Sequence, residues 1–193
     1  MSGSADDDYV RNSFRPIAGV CRGRLPDVRA AVEAGEMARP TYVLADGSEW
    51  VPSDYLQLVD DAGSLADLRA HVEGRYVVAA DTYGAVAGPD ELDDAWYAFL
   101  DGVWHARLVE GTPENAVREV RLAAAIERLL DAPAPDDWRW ANRLRARVEH
   151  LAVLTRSGTA SDRERNGGPL PRDIYVTDVM ASHPAAFSSS HEE

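Results

Sequence analysis

Three acidic residues crowd around a short turn near residue 46, and their chemistry is that of proton acceptors. Asp46, Glu49 and Asp54 lie within nine residues of one another. A carboxylate can take the proton of an attacking amine and stabilise the positive charge that develops on it. The alternative is structural: Asp46 serves the turn and Asp54 caps the helix that follows.

Arginines near the C-terminus supply the opposite charge. Arg163, Arg165 and Arg172 fall in a stretch that has no apolar anchors. A guanidinium presents a rigid fork of donors that suits sulfate, phosphate or carboxylate, so a loop with three of them is a candidate anion clamp. The alternative is a solvated loop.

One histidine and a set of aromatic residues complete the candidate site. His105 follows Trp104 at the predicted end of an aromatic helix, where it is either a general base or a buried helix-end residue. The aromatic residues that could wall a small-molecule pocket are Tyr42, Trp50, Tyr55, Trp96, Trp104, Trp138 and Trp140. Their helical spacing is equally typical of a core. Because Trp138 and Trp140 are two residues apart on one predicted helix, at least one must point away from its core face.

Common metal, nucleotide and hydrolase signatures are missing from the sequence. The five histidines are never three or four residues apart, and there is one cysteine, so neither familiar zinc pattern can form. No glycine-rich phosphate loop and no nucleophile elbow are present. We therefore expect no metal and no cofactor.

The elements that must position these residues are mostly helices. One exception is residues 41–51, where two β-branched or aromatic runs flank Asp46-Gly47, a signal for a two-stranded hairpin. Pro16 predicts a kink or a second start within a helix from Tyr9 to Cys21. The other predicted helices are 27–34, a helix from Ser53 or Asp54 to about Gly63, one starting at Ser64, 90–109, Thr112 to about Leu130, and a last one from Asp136 or Asp137 to about Arg156.

This pattern predicts a mainly α fold, a single-domain helical bundle with one small β-hairpin. Residues 8–183 form that domain, and residues 1–7 and 184–193 are expected to be disordered tails. The residues 155–168 are expected to form a polar loop. Arg75–Ala80 is the one helical stretch whose Tyr-Val-Val run would also suit a strand.

The charge balance restricts the partners. The chain has 33 acidic residues against 20 basic ones, all arginine, and a net charge of −13. That charge repels nucleic acid and anionic membranes, so neither is expected as a partner. Without lysine, no side chain can form a Schiff base. The N-terminus lacks signal-peptide features, no apolar run is long enough to span a bilayer, and we expect a cytoplasmic protein.

The stretch from Arg39 to Leu56, RPTYVLADGSEWVPSDYL, resembles a signature of a family of unknown function whose members are often described simply as natural-product biosynthesis proteins. Further similar stretches are Leu68–Tyr76, Trp96–Leu100, Gly111–Glu114 and Pro171–Asp173, so the resemblance runs from about Tyr9 to Pro184. It implies no catalytic residues. A weaker likeness is to the small subunits of paired, cofactor-free enzymes that form aziridine rings in antibiotic pathways, where an amine displaces a neighbouring sulfate.

Three functions stay open at this stage. The first is a cofactor-independent tailoring enzyme, or one subunit of a hetero-oligomeric enzyme, in which Asp46, Glu49, Asp54 or His105 takes a proton and Arg163 or Arg172 holds the leaving anion. The second is a non-catalytic protein partner of an enzyme in the same pathway. The third is a small-ligand binding or self-resistance protein. The first predicts that one of the hairpin acids faces a cleft that an arginine from 163–172 also reaches.

Overall fold

The computed structural model describes residues 5–188, which are mainly helical and form a single domain. Its helices are α1 (Ala5–Ser13), α2 (Ile17–Cys21), α3 (Leu25–Ala34), α4 (Gln57–Ala62), α5 (Leu65–Thr82), α6 (Pro89–Leu100), α7 (Val103–Arg107), α8 (Pro113–Leu130), α9 (Trp138–Leu154), α10 (Ala160–Asn166), α11 (Val179–Ser182) and α12 (Pro184–Phe187). Its strands are β1 (Arg15–Pro16), β2 (Tyr42–Val43) and β3 (Glu49–Val51). A short 3₁₀ turn covers Arg22–Arg24, and a π-helical turn covers Asp173–Asp178. The fold is thus the mainly α domain with a small β element that the sequence predicts.

The two predicted tails are shorter than expected within the described chain. Residues 1–4 and 189–193 lie outside the described residues. Residues 5–7 begin α1, and at the other end α12 packs on α9 with Ala186 buried. The acidic run near the N-terminus stabilises the first turn of a helix, because carboxylates there are attracted to the positive end of the helix dipole.

The predicted hairpin is confirmed. Strands β2 and β3 pair antiparallel, with Tyr42 opposite Trp50 and Val43 opposite Glu49. Gly47 has a positive φ of 78°, which a residue without a Cβ adopts at no steric cost. Tyr42 and Trp50 therefore lie on one face of the sheet, and both are buried.

The helix predicted from Tyr9 to Cys21 is wrong at its centre. Residues Arg15 and Pro16 form β1, which pairs antiparallel with β3 and makes a third strand. Proline lacks a backbone donor and is tolerated on an edge strand, and β1 is an edge of this sheet. The second helix start after Pro16 is found at Ile17.

Most predicted helix ends are confirmed. Ser64, Thr112 and Asp137 cap α5, α8 and α9, each accepting a backbone N–H of the first turn. Gly35 ends α3 in the left-handed conformation. Arg75–Ala80 is helical and lies inside α5.

Three predicted elements have to be corrected. Residues 90–109 form two helices, because the chain turns at Gly102, where φ is 71° and a Cβ would lie 3.4 Å from the Arg39 carbonyl oxygen. Asp54 does not cap α4, which begins three residues later without a side-chain cap. The predicted polar loop at 155–168 contains α10, which starts at a capping box of Thr159 and Asp162.

The long helices α8 and α9 form an antiparallel pair at the C-terminal side of the core. The indole nitrogen of Trp140, at the start of α9, donates to the carbonyl of Leu129 at the end of α8 over 2.9 Å. At the other end, Val109 just before α8 donates its N–H to Leu154 at the end of α9 over 3.0 Å. Helix α5 also packs on α8. None of the described helices is both long enough and apolar enough to cross a membrane.

Candidate functional site

The acidic residues of the hairpin turn have partners of their own. Asp46 accepts hydrogen bonds from the backbone and hydroxyl of Ser48 and pairs with Arg11 at 3.0 Å, and these contacts lower the pKa of Asp46 to about 2. Glu49 pairs with Arg29 at 2.7 Å. Both carboxylates thus serve as turn and surface-pair residues.

Two arginines of the predicted anion clamp, Arg163 and Arg172, form hydrogen bonds with other groups of the protein. Arg163 forms a two-pronged pair with Asp173, at 2.8 and 2.7 Å, and donates to two carbonyls of its own loop. Arg172 donates to the carbonyl oxygens of Ala152 and Thr155 at the end of α9, which it caps. Among residues 5–188, no hydrogen bond or ion pair joins Asp46 or Glu49 to Arg163 or Arg172.

Asp54 and His105 lie closer to the interior. Burial raises the pKa of Asp54, while the charge of Arg156 opposes that rise and that of Glu110 adds to it. His105 is buried, and burial with the nearby charge of Arg156 lowers its pKa to about 4. Its Nδ1 has no hydrogen-bond partner among the described residues. At neutral pH His105 is an uncharged core residue.

The aromatic residues are divided between the core and the surface. Those that are buried are Tyr42, Trp50, Tyr55, Trp96, Trp104 and Trp140. The Tyr55 hydroxyl donates to the Ala38 carbonyl, and the Trp50 indole donates to Ser48 at 2.8 Å. Trp138 is 67% exposed, with the guanidinium of Arg139 5.3 Å from the ring centre. The prediction that one of Trp138 and Trp140 points outward is confirmed.

A buried polar cluster that the sequence did not predict joins the hairpin to α10. Asp162 is 3% exposed and accepts the Tyr42 hydroxyl at 2.7 Å together with the backbone and hydroxyl of Thr159. The Tyr42 ring packs edge-on against Phe14. Tyr42 thus links the sheet to the C-terminal segment, and no sequence pattern connects residues 120 positions apart.

A groove lies beside α8 and α9 and has a volume of about 1000 Å³. We call it the α8–α9 groove. Its lining residues are Tyr83, Val109, Glu110, Asn115, Arg118, Arg121, Leu122, Ala125, Arg128, Ala146, Arg147, His150, Val153 and Leu154. The volume is at the upper end of the range for small-molecule sites. The lining combines apolar side chains with four arginines, one histidine and one acid.

The antiparallel helix pair brings cations from both helices to one level of the groove. Helices α8 and α9 have 18 and 17 residues and meet at both ends, so their midpoints lie side by side. Arg121 of α8 and Arg147 of α9 are at those midpoints. Arg118 and His150 lie about one turn further toward the same end of the groove. We call Arg118, Arg121 and Arg147 the arginine cluster.

The arginine cluster has no carboxylate partner in the described residues. Arg118 and Arg121 make no hydrogen bond or ion pair there, and the Nε of Arg121 is buried and unpartnered. Arg147 donates only to the carbonyl of Arg143 on its own helix, at 3.2 Å. Elsewhere eight arginines pair with acids: Arg11, Arg24, Arg29, Arg39, Arg69, Arg75, Arg107 and Arg163. The α8–α9 groove thus gathers three arginines whose charge no carboxylate of the described residues neutralises by an ion pair.

The charge of the chain is unevenly distributed along the sequence. Residues 1–114 contain 21 acids and 9 arginines, whereas residues 115–193 contain 12 acids and 11 arginines. All of α9, and all of α8 except its first two residues, belong to the second part. The spacing of Arg118, Arg121, Leu122, Ala125 and Arg128 on α8 was a signal in the sequence, because it places them on one helix face. Only the structure shows that Arg147 and His150 of α9 line the same groove.

No arrangement of three or more His, Cys, Asp or Glu side chains within residues 5–188 could hold a metal ion.

Comparison with known proteins identifies a family. No curated protein and no solved structure matches the chain significantly. The model of a protein family described as "Family of unknown function (DUF6058)" matches residues 66–184, from α5 into α12. The hairpin signature lies outside this match, which covers both groove helices. The chain therefore belongs to this family of unknown function.

Proposed function

We propose that the protein binds a small anionic molecule with an apolar portion in the α8–α9 groove, and that this molecule is an intermediate of natural-product biosynthesis. The observation that carries the proposal is the arginine cluster without carboxylate partners. The biosynthetic context comes from the resemblance noted in the sequence.

Without a bound anion, the arginine cluster is electrostatically unfavourable. Three guanidinium groups on one groove repel each other, and nearby carboxylates would normally relieve that repulsion. An anion supplied by a ligand relieves it, and each charge-assisted hydrogen bond to a guanidinium is worth about 1.5–3 kcal/mol. Leu122, Ala125, Val153 and Leu154 offer apolar surface beside the cluster. The ligand that fits both features is amphipathic and negatively charged.

A more specific form of the proposal is a cofactor-independent displacement. The amine nitrogen of a substrate forms a bond to the neighbouring carbon, while the bond from that carbon to a sulfate oxygen breaks. The sulfate leaves with the electron pair and is held by Arg118, Arg121 and Arg147, and Glu110 or His150 takes the amine proton. The sequence predicts the same two roles, an arginine that holds the leaving anion and a side chain that takes the proton. In this proposal, residues of the groove fill them.

The binding step is tested by calorimetric titration with simple amphiphiles. Octyl sulfate and nonanoate are the anionic probes, and octyltrimethylammonium is the cationic control. At least one anion should bind with one site per chain, and Arg121→Gln should weaken that binding about tenfold or more. Arg15→Gln is the matched control, since Arg15 is exposed on β1, away from the groove. Failure of both anions to bind, or equal binding of the cation, refutes the proposal.

A second candidate function is that of an accessory subunit, and exposed Trp138 favours it. Tryptophan is enriched at the centres of protein interfaces, and this one is 67% exposed at the start of α9. The test is co-expression with the products of the genes that flank its own. An accessory role predicts a stable complex that Trp138→Ser weakens and Tyr97→Ser, at a comparably exposed aromatic, does not.

A further inference from the structure

We propose that the groove ligand is a soluble phosphate or sulfate monoester whose apolar chain runs from the arginine cluster toward Val153. This inference rests on the proposed function and names the chemical class of the ligand and its orientation.

The head group follows from the number and placement of the cations. Arg118 and Arg121 approach the groove from α8, and Arg147 approaches from α9. A planar carboxylate has two oxygens and is satisfied by one guanidinium fork. A tetrahedral ester head has three terminal oxygens pointing in different directions, and guanidinium groups from two facing helices can each reach one of them. A phosphate monoester also carries close to two negative charges at neutral pH.

The orientation follows from where exposed apolar groups lie. Three groove residues are large hydrophobic side chains that water contacts in the free protein: Tyr83 at 48% exposure, Val109 at 46% and Val153 at 78%. Of these, Val109 and Val153 lie at the end of the groove where the Leu154 carbonyl accepts the N–H of Val109. In the other direction the lining is Ala125, Ala146 and then a further cation, Arg128.

Glu110 reinforces this orientation. Glu110 lines the same end of the groove as Val109 and Val153. A carboxylate there repels an anionic head and keeps it at the arginine cluster. The apolar chain carries no charge, so it can occupy that end.

The first experiment compares head groups at matched chain length. Octyl phosphate and octyl sulfate should each bind about tenfold more tightly than nonanoate, which corresponds to one further charge-assisted hydrogen bond. Arg147→Gln should remove this preference, because the remaining guanidiniums come from one helix. Equal affinity for nonanoate and both esters contradicts the inference but leaves anion binding in the groove intact, so the two proposals fail separately.

The second experiment tests the direction of the chain. Octyl phosphate should bind more tightly than ethyl phosphate, and Val153→Ser should reduce that gain. Val120→Ser is the control, since Val120 is 52% exposed on α8 but does not line the groove. A gain that Val153→Ser leaves unchanged overturns the orientation.

A membrane headgroup would offer the same phosphate chemistry, and sedimentation with vesicles separates the two sources. The net charge of −13 opposes approach to an anionic bilayer. The protein should therefore stay in the supernatant with vesicles that contain phosphatidic acid at the salt concentration where octyl phosphate binds. Sedimentation that Arg121→Gln abolishes would show that the ligand is a lipid headgroup and overturn the inference.

Discussion

At the scale of single residues, the buried Tyr42–Asp162 hydrogen bond is the contact that sequence analysis missed most completely. Tyr42 was a candidate pocket residue, and Asp162 was assigned to a polar loop. In the structure the Tyr42 hydroxyl is 2.7 Å from a carboxylate oxygen that also accepts two donors from Thr159. Burial raises the pKa of Tyr42, and the hydrogen bond to Asp162 raises it further, so the phenol stays protonated and donates.

Replacing Tyr42 by Phe tests this contact. The ring can keep its packing against Phe14, but Asp162 loses a donor in a buried site. We expect the free energy of unfolding to fall by about 1–3 kcal/mol, measured by urea denaturation. Tyr97→Phe is the control, since Tyr97 is 59% exposed and should change stability by no more than about 0.5 kcal/mol. Equal, small effects would mean that the buried hydrogen bond adds nothing.

His105 predicts a dependence of stability on pH. Its pKa is about 4 in the folded protein, below the ordinary value of 6.5, because burial disfavours the charged ring. Between these two pKa values, His105 is protonated in the unfolded chain and neutral in the folded protein. The stability that His105 contributes is fully present above about pH 6.5 and is lost as the pH falls toward 4.

Urea denaturation of wild type and His105→Gln at pH 7 and pH 4.5 measures this contribution. The wild type should lose about 2 kcal/mol more than the variant over this interval. Comparing pH differences removes any constant effect of the substitution and the titration of the carboxylates common to both proteins. His150→Gln, at an exposed position, should behave like the wild type. A loss that is the same with and without His105 contradicts its burial as a neutral ring.

At the scale of elements, local sequence patterns predicted the helices and the hairpin turn, which interactions between nearby residues stabilise. The hairpin follows from Asp46-Gly47, and helices α5, α8 and α9 follow from their capping residues and apolar spacing. Strand β1 could not be predicted in this way, because its two residues join the sheet only by pairing with Val51 and Trp50 of β3, which are distant in the sequence. Helix α10 was hidden by its polar composition, and Asp162 stabilises its start from within a buried site.

The short connection between α7 and α8 offers a test at this scale. Gly111 lies against the ring of His105, and a Cβ built on Gly111 would overlap that ring. Gly111→Ala should lower the free energy of unfolding by about 1–3 kcal/mol, because neither the connection nor the buried ring has space to move. Gly23→Ala is the matched control, since nothing lies within 4 Å of its Cβ position. Thermal or urea unfolding that ranks the two variants equally contradicts this packing.

At the scale of the whole molecule, function was the hardest property to predict. Asp46, Glu49, Arg163 and Arg172 had suitable chemistry, but the fold pairs each of them with a neighbour. Burial shifts the pKa values of Asp54 and His105, and neither residue lines the α8–α9 groove. The groove arginines were not among the predicted site residues, because helical spacing shows which residues share a face and not which face another helix leaves open. The family match covers the groove helices, and no function is recorded for the family.

The location of anion binding at the arginine cluster is the central claim, and nuclear magnetic resonance of the arginine side chains tests it most directly. Octyl phosphate should shift the Nε–Hε signals of Arg118, Arg121 and Arg147 in a saturable manner and leave that of Arg15 unchanged. The shifts should weaken with added salt, because screening reduces attraction at an open groove. Saturable shifts confined to Arg163, Arg165 or Arg172 would place the anion at the C-terminal segment and contradict the account.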